Sequence, residues 1–500
     1  MEYNYLLETV TSDKWKRIGI TKRSGVCIPL FYIHSSSSIG IGEFYDIIKF
    51  ARWCKSVGFS IIQLLPLNEL GFDFAPYNSI STFALEPSYI SLNKLKGVKN
   101  KNFNEELNQL KEKYSHQRKY INYQIKTDKL KFLKIVYTQN DFSKSIKFKK
   151  FKRENDFWLK KYAAFKFLKQ KFKNEEWSNW DDKFLDCNDE TIDDLENKNQ
   201  EIFDFHYWVQ WQLYEQLKEV KNYCNREKIF LMGDIPLLVS RDSADVWSYQ
   251  NYFKLYKSAG APPDMYFSGG QRWGMPPYNW GNIANDNWVY LKNKLKYAEN
   301  FFDMYRIDHF VGLFRIWSIP INTPEDLAGS KGNFDPEQDY LWETHGRKII
   351  SEMVTATDML PCAEDLGTVP DCSFQILREF GIPGMDVLRW NKIFNEGIYF
   401  KSPYHYRRNS ISVISTHDSS FSPVWWKYEA GTVDEFVVKK ILQKLNLSEP
   451  LIIEYLNLLF DIKNSENGRL RWNPEIDRPF KILQILKNTG DAVNELIGLY

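Results

Sequence analysis

Short apolar runs ending in polar residues recur along the chain, separated by stretches with a helical period. They are "GVCIPLF" (25–31), "SIIQLLPL" (60–67), "IFLMGDIPL" (229–237), "DMYRIDHF" (303–310), "MLPCAEDLG" (359–367), "GMDVLRW" (384–390) and "ISVISTHD" (411–418). Near-continuous apolar strands of this kind belong to parallel sheets covered on both faces. Between the first two runs, "GEFYDIIKFARWCKSVGF" sets Ile47, Phe50, Ala51 and Cys54 on one stripe, which predicts a helix. Residues 206–228 predict another, and "DCSFQILREFGIPG" (371–384) a short helix closed by glycine.

Strand–helix alternation over 500 residues predicts an α/β fold, a single (β/α)8 TIM barrel spanning 1–500 with helical insertions between barrel strands. No G-x-G-x-x-G follows the first strand, which argues against a doubly wound nucleotide-binding sheet. "FKILQIL" (480–486) is the candidate for the eighth strand. Residues 91–205 break the alternation; rich in Lys, Asn, Glu and aromatics, they read as a helical insertion subdomain between strands two and three.

Composition narrows the function. Aromatics make up 16% of the chain, with 17 Trp and 29 Tyr, more than packing ordinarily asks for. Most of them are core side chains, but aromatic faces are also what the apolar C–H patches of sugar rings stack on. A net charge of +2 leaves no global field for nucleic acid, and the basic tract at 147–153 reads as a solvated helix face. The cysteines (27, 54, 187, 224, 362 and 372) have no zinc spacing, which suits free thiols in a reducing compartment. The N-terminal stretch lacks the apolar core of a signal peptide, and no run approaches the roughly 18 apolar residues of a membrane span. A cytoplasmic protein without membrane or nucleic-acid partners is the expectation.

The chemistry concentrates at strand ends, where barrel enzymes carry their active sites. Four strands end in acids: Asp234, Asp308, the pair Glu364–Asp365, and Asp418. One such acid is ordinarily a helix cap; four converging on one rim raise each other's pKa, a cost the fold does not require. No metal-ligand spacing accompanies them, so neither metal nor cofactor is expected. Glycoside chemistry uses acids in this way, one carboxylate attacking the anomeric carbon and another protonating the leaving oxygen. Asp308 is the best-placed nucleophile, because Arg306 shares its strand face and favours the anion. Asp234 follows a glycine and is equally explained as structural. Within "AED", alternation sends Glu364 and Asp365 to opposite faces, and the pattern does not choose between them. His309 and His417 each adjoin an acid and read as donors to substrate hydroxyls.

Several stretches together resemble the 4-alpha-glucanotransferases (amylomaltase, or disproportionating enzyme) of glycoside hydrolase family 77. They include "SGVCIPL", "IGIGEF" (39–44), "IIQLLPLNELGFDFAPYNSISTFALEPSYI" (61–90), "GDIPLLVSRDSADVW" (233–247), "APPDMYFSGGQRWGMPPYNW" (261–280), "YRIDHFVGLFRIWSIP" (305–320), "AEDLG" (363–367), "GIPGMDVLRW" (381–390) and "STHD" (415–418). The resemblance implies Asp308 as nucleophile, Glu364 as general acid/base and Asp418 as a third acid holding the reacting sugar. It implies Asp234, Arg306, His309 and His417 around the donor glucose and Tyr77 stacked on a sugar. Residues 261–280 would be the loop arching over the acceptor groove, within an insertion at 242–300, with Tyr266 and Phe267 at its tip and Trp273 as a further contact. The partners implied are maltooligosaccharide or α-glucan donors and acceptors and glucose, for a monomer or weak homo-oligomer. Two departures stand out: "SSF" (419–421) follows His417–Asp418 where the family has Asn-Asp-Thr, and the C-terminal family pattern is missing. An α-glucan hydrolase using the same acids and a non-catalytic glucan-binding protein are the rival readings.

Overall fold

All seven apolar runs become strands that pair in parallel. In a computed structural model, residues 3–71, 74–98, 103–115, 120–263, 269–393, 399–429, 431–487 and 491–499 are described. The strands used below are β1 (Gly25–Ile28), β2 (Ile61–Leu64), β3 (Phe230–Ile235), β4 (Lys257–Ala261), β5 (Gln271–Arg272), β6 (Met304–Ile307), β7 (Ile316–Pro320), β8 (Asn333–Asp335), β9 (Leu360–Ala363), β10 (Gly384–Val387) and β11 (Ser410–Val413). The chain divides into two units, Met1–Pro383 and Gly384–Tyr500. In the first, β1-β2-β3-β6-β9 form one parallel sheet; in the second, β10 pairs with β11, also in parallel.

Helices make the crossovers that parallel pairing requires. Asp46–Ser56 lies between β1 and β2 and buries Ile47, Ala51 and Cys54, with Phe50 packed against the same core. Gln200–Arg226 precedes β3, Val289–Ala298 precedes β6 and Trp342–Ala356 precedes β9. Asp371–Phe380 follows β9 and ends at Gly381, whose φ of +69° is the left-handed cap that glycine adopts without strain.

Between β2 and β3 the chain carries helices at Asn104–Tyr114, Gln124–Thr138, Ile146–Lys171 and Asp189–Lys198, after largely irregular stretches at 65–71 and 74–98. Ile146–Lys171 buries Phe148, Phe151, Trp158, Leu159, Tyr162, Phe165 and Leu168, the spacing of one helix face. Ser145 caps its start by accepting from the Phe148 N–H. Lys129 is wholly buried, and each of its three N–H groups has a partner: Glu43 Oε1 (2.7 Å), Ser88 O (2.8 Å) and Ile90 O (2.9 Å). Burying that cation is tolerable because pairing and hydrogen bonding are both complete.

The long helix Gln200–Arg226 does more than cover the sheet. Its buried glutamines each grip one residue of the segment after β2 by main-chain N–H and C=O together. Gln210 holds Leu85 (2.8 and 3.0 Å), Gln216 holds Ser91 (2.9 and 3.0 Å) and Gln212 holds Lys96 (2.7 and 3.0 Å). Each side-chain amide stands in for a strand neighbour and satisfies backbone groups that would otherwise be buried unpaired.

A second, antiparallel sheet in the first unit has the order β5-β4-β7-β8. The Arg241 guanidinium braces it, donating to Leu255 O (2.8 Å), Lys257 O (2.6 Å) and Gly274 O (3.4 Å).

The second unit has its own core, including Val438, Leu442, Leu459, Phe460, Ile482 and Val493. Here one expectation is overturned. "FKILQIL" lies in a helix, Pro479–Leu486, and is not an eighth strand. Proline at the first helical turn, with Ile482 and Leu486 four apart and both buried, suits a helix that turns one face to that core. Among the described residues no helix is long and apolar enough to cross a membrane.

The glutamine clamp gives a direct test. Gln210→Ala strands the buried N–H and C=O of Leu85, an expected loss of about 2–3 kcal/mol, read as a lower denaturant midpoint with unchanged slope.

Candidate active site

Strand register assembles the site. Asp234 stands opposite Arg306 in the β3–β6 ladder, and Arg306 opposite Cys362 in the β6–β9 ladder. Two residues further along those last two strands come Asp308 and Glu364, on the faces of Arg306 and Cys362 respectively. The parallel pattern runs one bond past the strands, Glu364 N–H donating to Ile307 O (3.1 Å). The ambiguity within "AED" resolves accordingly: Glu364 carries the carboxylate that meets Arg306.

Arg306 is the hub, its side chain only 3% exposed. Nη1 donates to both oxygens of Asp234 (2.8 and 2.9 Å) and to Asp308 Oδ1 (2.9 Å), while Nη2 reaches Glu364 Oε1 at 2.5 Å. The Tyr77 hydroxyl donates to Asp234 Oδ2 (2.6 Å), and its ring centroid lies 5.9 Å from the guanidinium carbon. Asp234 is sealed off, whereas the side chains of Asp308 and Glu364 keep 23% and 15% exposure. Two of the three acids thus keep a partly exposed edge, and Asp234 lies behind them.

Burial chiefly pushes the Glu364 carboxyl up to about 7; the Asp308 charge adds to this and Arg306 opposes it. Asp234 is also raised, first by burial and against the pull of Arg306. Burial and the Asp234 charge hold the Tyr77 hydroxyl far above its ordinary range, so it remains a donor.

His309 takes a left-handed backbone conformation, φ +46°, which costs a residue with a Cβ about 1 kcal/mol or more. The turn aims its peptide N–H at Glu364 Oε2 (2.7 Å). Burial pushes its imidazole down to about 4, leaving it neutral near pH 7. The Trp273 ring meets the imidazole edge to face, centroids 4.8 Å apart, and Trp273 is itself held by Nε1 on Gln271 Oε1 (3.0 Å) and by its N–H on Ala259 O (2.9 Å). Gly312 makes room for this packing, since a Cβ there would lie 2.7 Å from His309 Cδ2 and 2.5 Å from Leu237 Cδ2.

Tyr77, Asp234, Trp273, Arg306, Asp308, His309 and Glu364 therefore come together in the first unit. His417 and Asp418 lie beyond β11 in the second unit, with His417 Nε2 3.1 Å from Asp418 Oδ1. The divergent serines after them enter local bonds: Ser419 Oγ accepts from the Thr416 N–H (3.3 Å), and Ser420 O accepts from Arg389 Nη1. Tyr266 and Phe267 lie outside the described residues. Pattern reasoning passed over Lys294, buried on the helix Val289–Ala298; its signal was a lone lysine on an apolar helix face. Among the described residues no group of His, Cys, Asp and Glu has a metal-holding arrangement.

The family model of glycoside hydrolase family 77, described as 4-alpha-glucanotransferase, matches residues 28–464. The chain belongs to this family. The 4-alpha-glucanotransferase of Chlamydia caviae is 36% identical over 429 residues, covering 85% of this chain and 79% of that protein. Among solved structures, amylomaltase from Streptococcus agalactiae in complex with acarbose aligns over 95% of this chain and 98% of its own, with a TM-score of 0.67 and 21% identity. Amylomaltase from Corynebacterium glutamicum gives 0.66 at 20% identity, over 88% of this chain and 59% of its own. The α/β fold, parallel strands covered by helices, is thus that of the amylomaltases, and the family member described here is an enzyme of the glycosyltransferase type.

Removing the hub should be severe. Arg306→Met leaves Asp234 buried without its cation, an expected destabilisation of about 3–5 kcal/mol. The check is thermal unfolding beside Arg306→Lys, which keeps the charge and should lose less; equal melting of Arg306→Met and wild type would refute the charge balance described.

Proposed function

We propose that this family member transfers α-1,4-glucan segments between maltodextrins by a retaining double displacement. Asp308 attacks the anomeric carbon while Glu364 protonates the departing glucan oxygen. Glu364 then takes the proton of an acceptor's 4-hydroxyl, and that oxygen displaces Asp308. The products are a longer glucan and glucose or a short maltodextrin. The observation that carries the reading is that one guanidinium holds both carboxyls by its two terminal nitrogens. Such close pairing suits retention, in which about 5–5.5 Å separates the carboxyl groups, better than inversion, which needs about 6.5–9.5 Å to admit water.

The division of labour has physical support. A general acid near 7 can both give and take a proton under neutral conditions, and burial puts Glu364 there. Tyr77 and Asp234 are read as the floor of the donor glucose site, with Arg306 and the neutral His309 supplying hydrogen bonds. Trp273, Tyr266 and Phe267 are assigned to the acceptor side, within a 242–300 insertion over the groove. On the family pattern alone, Asp418 is read as the third acid and His417 as a donor to the same sugar. Hydrolysis and non-catalytic binding are not favoured. Free thiols at all six cysteines accord with a cytoplasmic location.

Incubation with maltotriose tests the activity: transfer builds a ladder of longer maltodextrins plus glucose, whereas maltose and glucose alone would mark a hydrolase. Asp308→Asn should lower the rate by at least about 10³-fold with unchanged folding; transfer at the wild-type rate would sink the mechanism. The sign of the pH dependence follows from Glu364. The first step needs its proton, so kcat/KM should hold below and fall above about pH 7. Glu364→Gln should abolish that limb together with most of the activity.

A further inference from the structure

Lys294 is a buried cation that the reaction scheme leaves unused. It lies on the helix leading into β6, on the face that also buries Tyr290, Leu291, Leu295 and Tyr297, and is 6% exposed. Its Nζ donates to Pro236 O (2.8 Å), among the described residues its one hydrogen bond. Pro236 is the first residue after β3, two past Asp234, and Ile235 O at the end of that strand accepts from the Asp308 N–H (3.4 Å). A cavity of about 30 Å³ adjoins the amine, bordered by Asn68, Ser79, Thr82, Asp234 and Pro236. Apolar side chains, among them Leu67, Phe83, Leu85 and Phe301, make up the rest of its wall.

The charges around it matter. Asp245 and Asp308 are the carboxylates within electrostatic reach of Lys294. Asp245 is already engaged by the Thr82 N–H (3.0 Å), the Thr82 hydroxyl (2.5 Å) and the Tyr290 hydroxyl (2.9 Å). Asp308 shares one guanidinium with two other acids. A buried ammonium without a carboxylate in contact is costly and persists where something else depends on it.

We propose that Lys294 is a positioning residue of the reaction centre: it ties the end of β3 to the helix before β6 and so fixes the strand end whose Ile235 O holds the Asp308 N–H. This rests on the reading of Asp308 and Glu364 as the reacting acids. Burial pushes the Lys294 ammonium down to about 8, so the charge is present at neutral pH and lost in mild alkali.

Lys294→Gln removes the charge and shortens the donor that reaches Pro236 O. With maltotriose as substrate, Lys294→Gln should lower kcat about tenfold with KM within about twofold. Lys294→Arg, which keeps both the donor and the charge, should restore kcat. A folded Lys294→Gln with wild-type kcat, or one whose loss falls on KM instead, overturns the proposal, since a lysine that only supports the fold predicts no selective loss of kcat. Should Lys294→Gln not fold, a folded Lys294→Arg with kcat lowered as far as expected for Lys294→Gln overturns it, and one with wild-type kcat and KM supports it. Asp308→Asn in the same assay is the separate control: if it transfers normally, the assignment of the acids fails, whatever Lys294 does.

Discussion

One guanidinium holds the site together. Arg306 touches Asp234, Asp308 and Glu364 at once: parallel register sets Asp234 level with it, and Asp308 and Glu364 come two residues further along β6 and β9. Three carboxyls in so small a volume would repel one another and drive some to the neutral form. The shared cation relieves that repulsion unevenly. Asp234 is sealed in by Arg306 and Tyr77, while Asp308 and Glu364 keep an edge toward solvent. Three like residues on one cation thus differ in their access to solvent.

Most of this frame was legible in the residues. The seven strands follow from apolar runs whose length and polar ends admit few alternatives, and the face shared by Arg306 and Asp308 follows from alternation over two positions. The choice between Glu364 and Asp365 was not legible, because it depends on register with β6, a relation between segments 55 residues apart. "FKILQIL" failed for a related reason: a short apolar run fits helix and strand alike, and its packing partners, not its own pattern, decide. Lys294 was passed over because one lysine among apolar residues looks like a surface position until the partner at Pro236 is known.

His309 shows how local strain can serve a site. Its left-handed turn sends the peptide N–H, rather than the ring, to Glu364, leaving the ring to pack against Trp273. Trp273 lies just after β5, on the sheet braced by Arg241. A path of direct contacts therefore joins that sheet to the carboxyl with the raised pKa, through an aromatic edge and one peptide bond. No charged group is needed along it.

The three glutamines of the helix before β3 read the backbone of Leu85, Ser91 and Lys96, not the side chains. Main-chain recognition is indifferent to which amino acid carries the peptide, but it counts residues. The clamps therefore close the stretch from 85 to 96 to insertion or deletion, because one added residue would leave an amide facing the wrong peptide, while burial of Leu85, Tyr89, Ile90 and Leu92 constrains its side chains separately. Two independent rulers, one counting peptides and one filling volume, are laid along the same dozen residues.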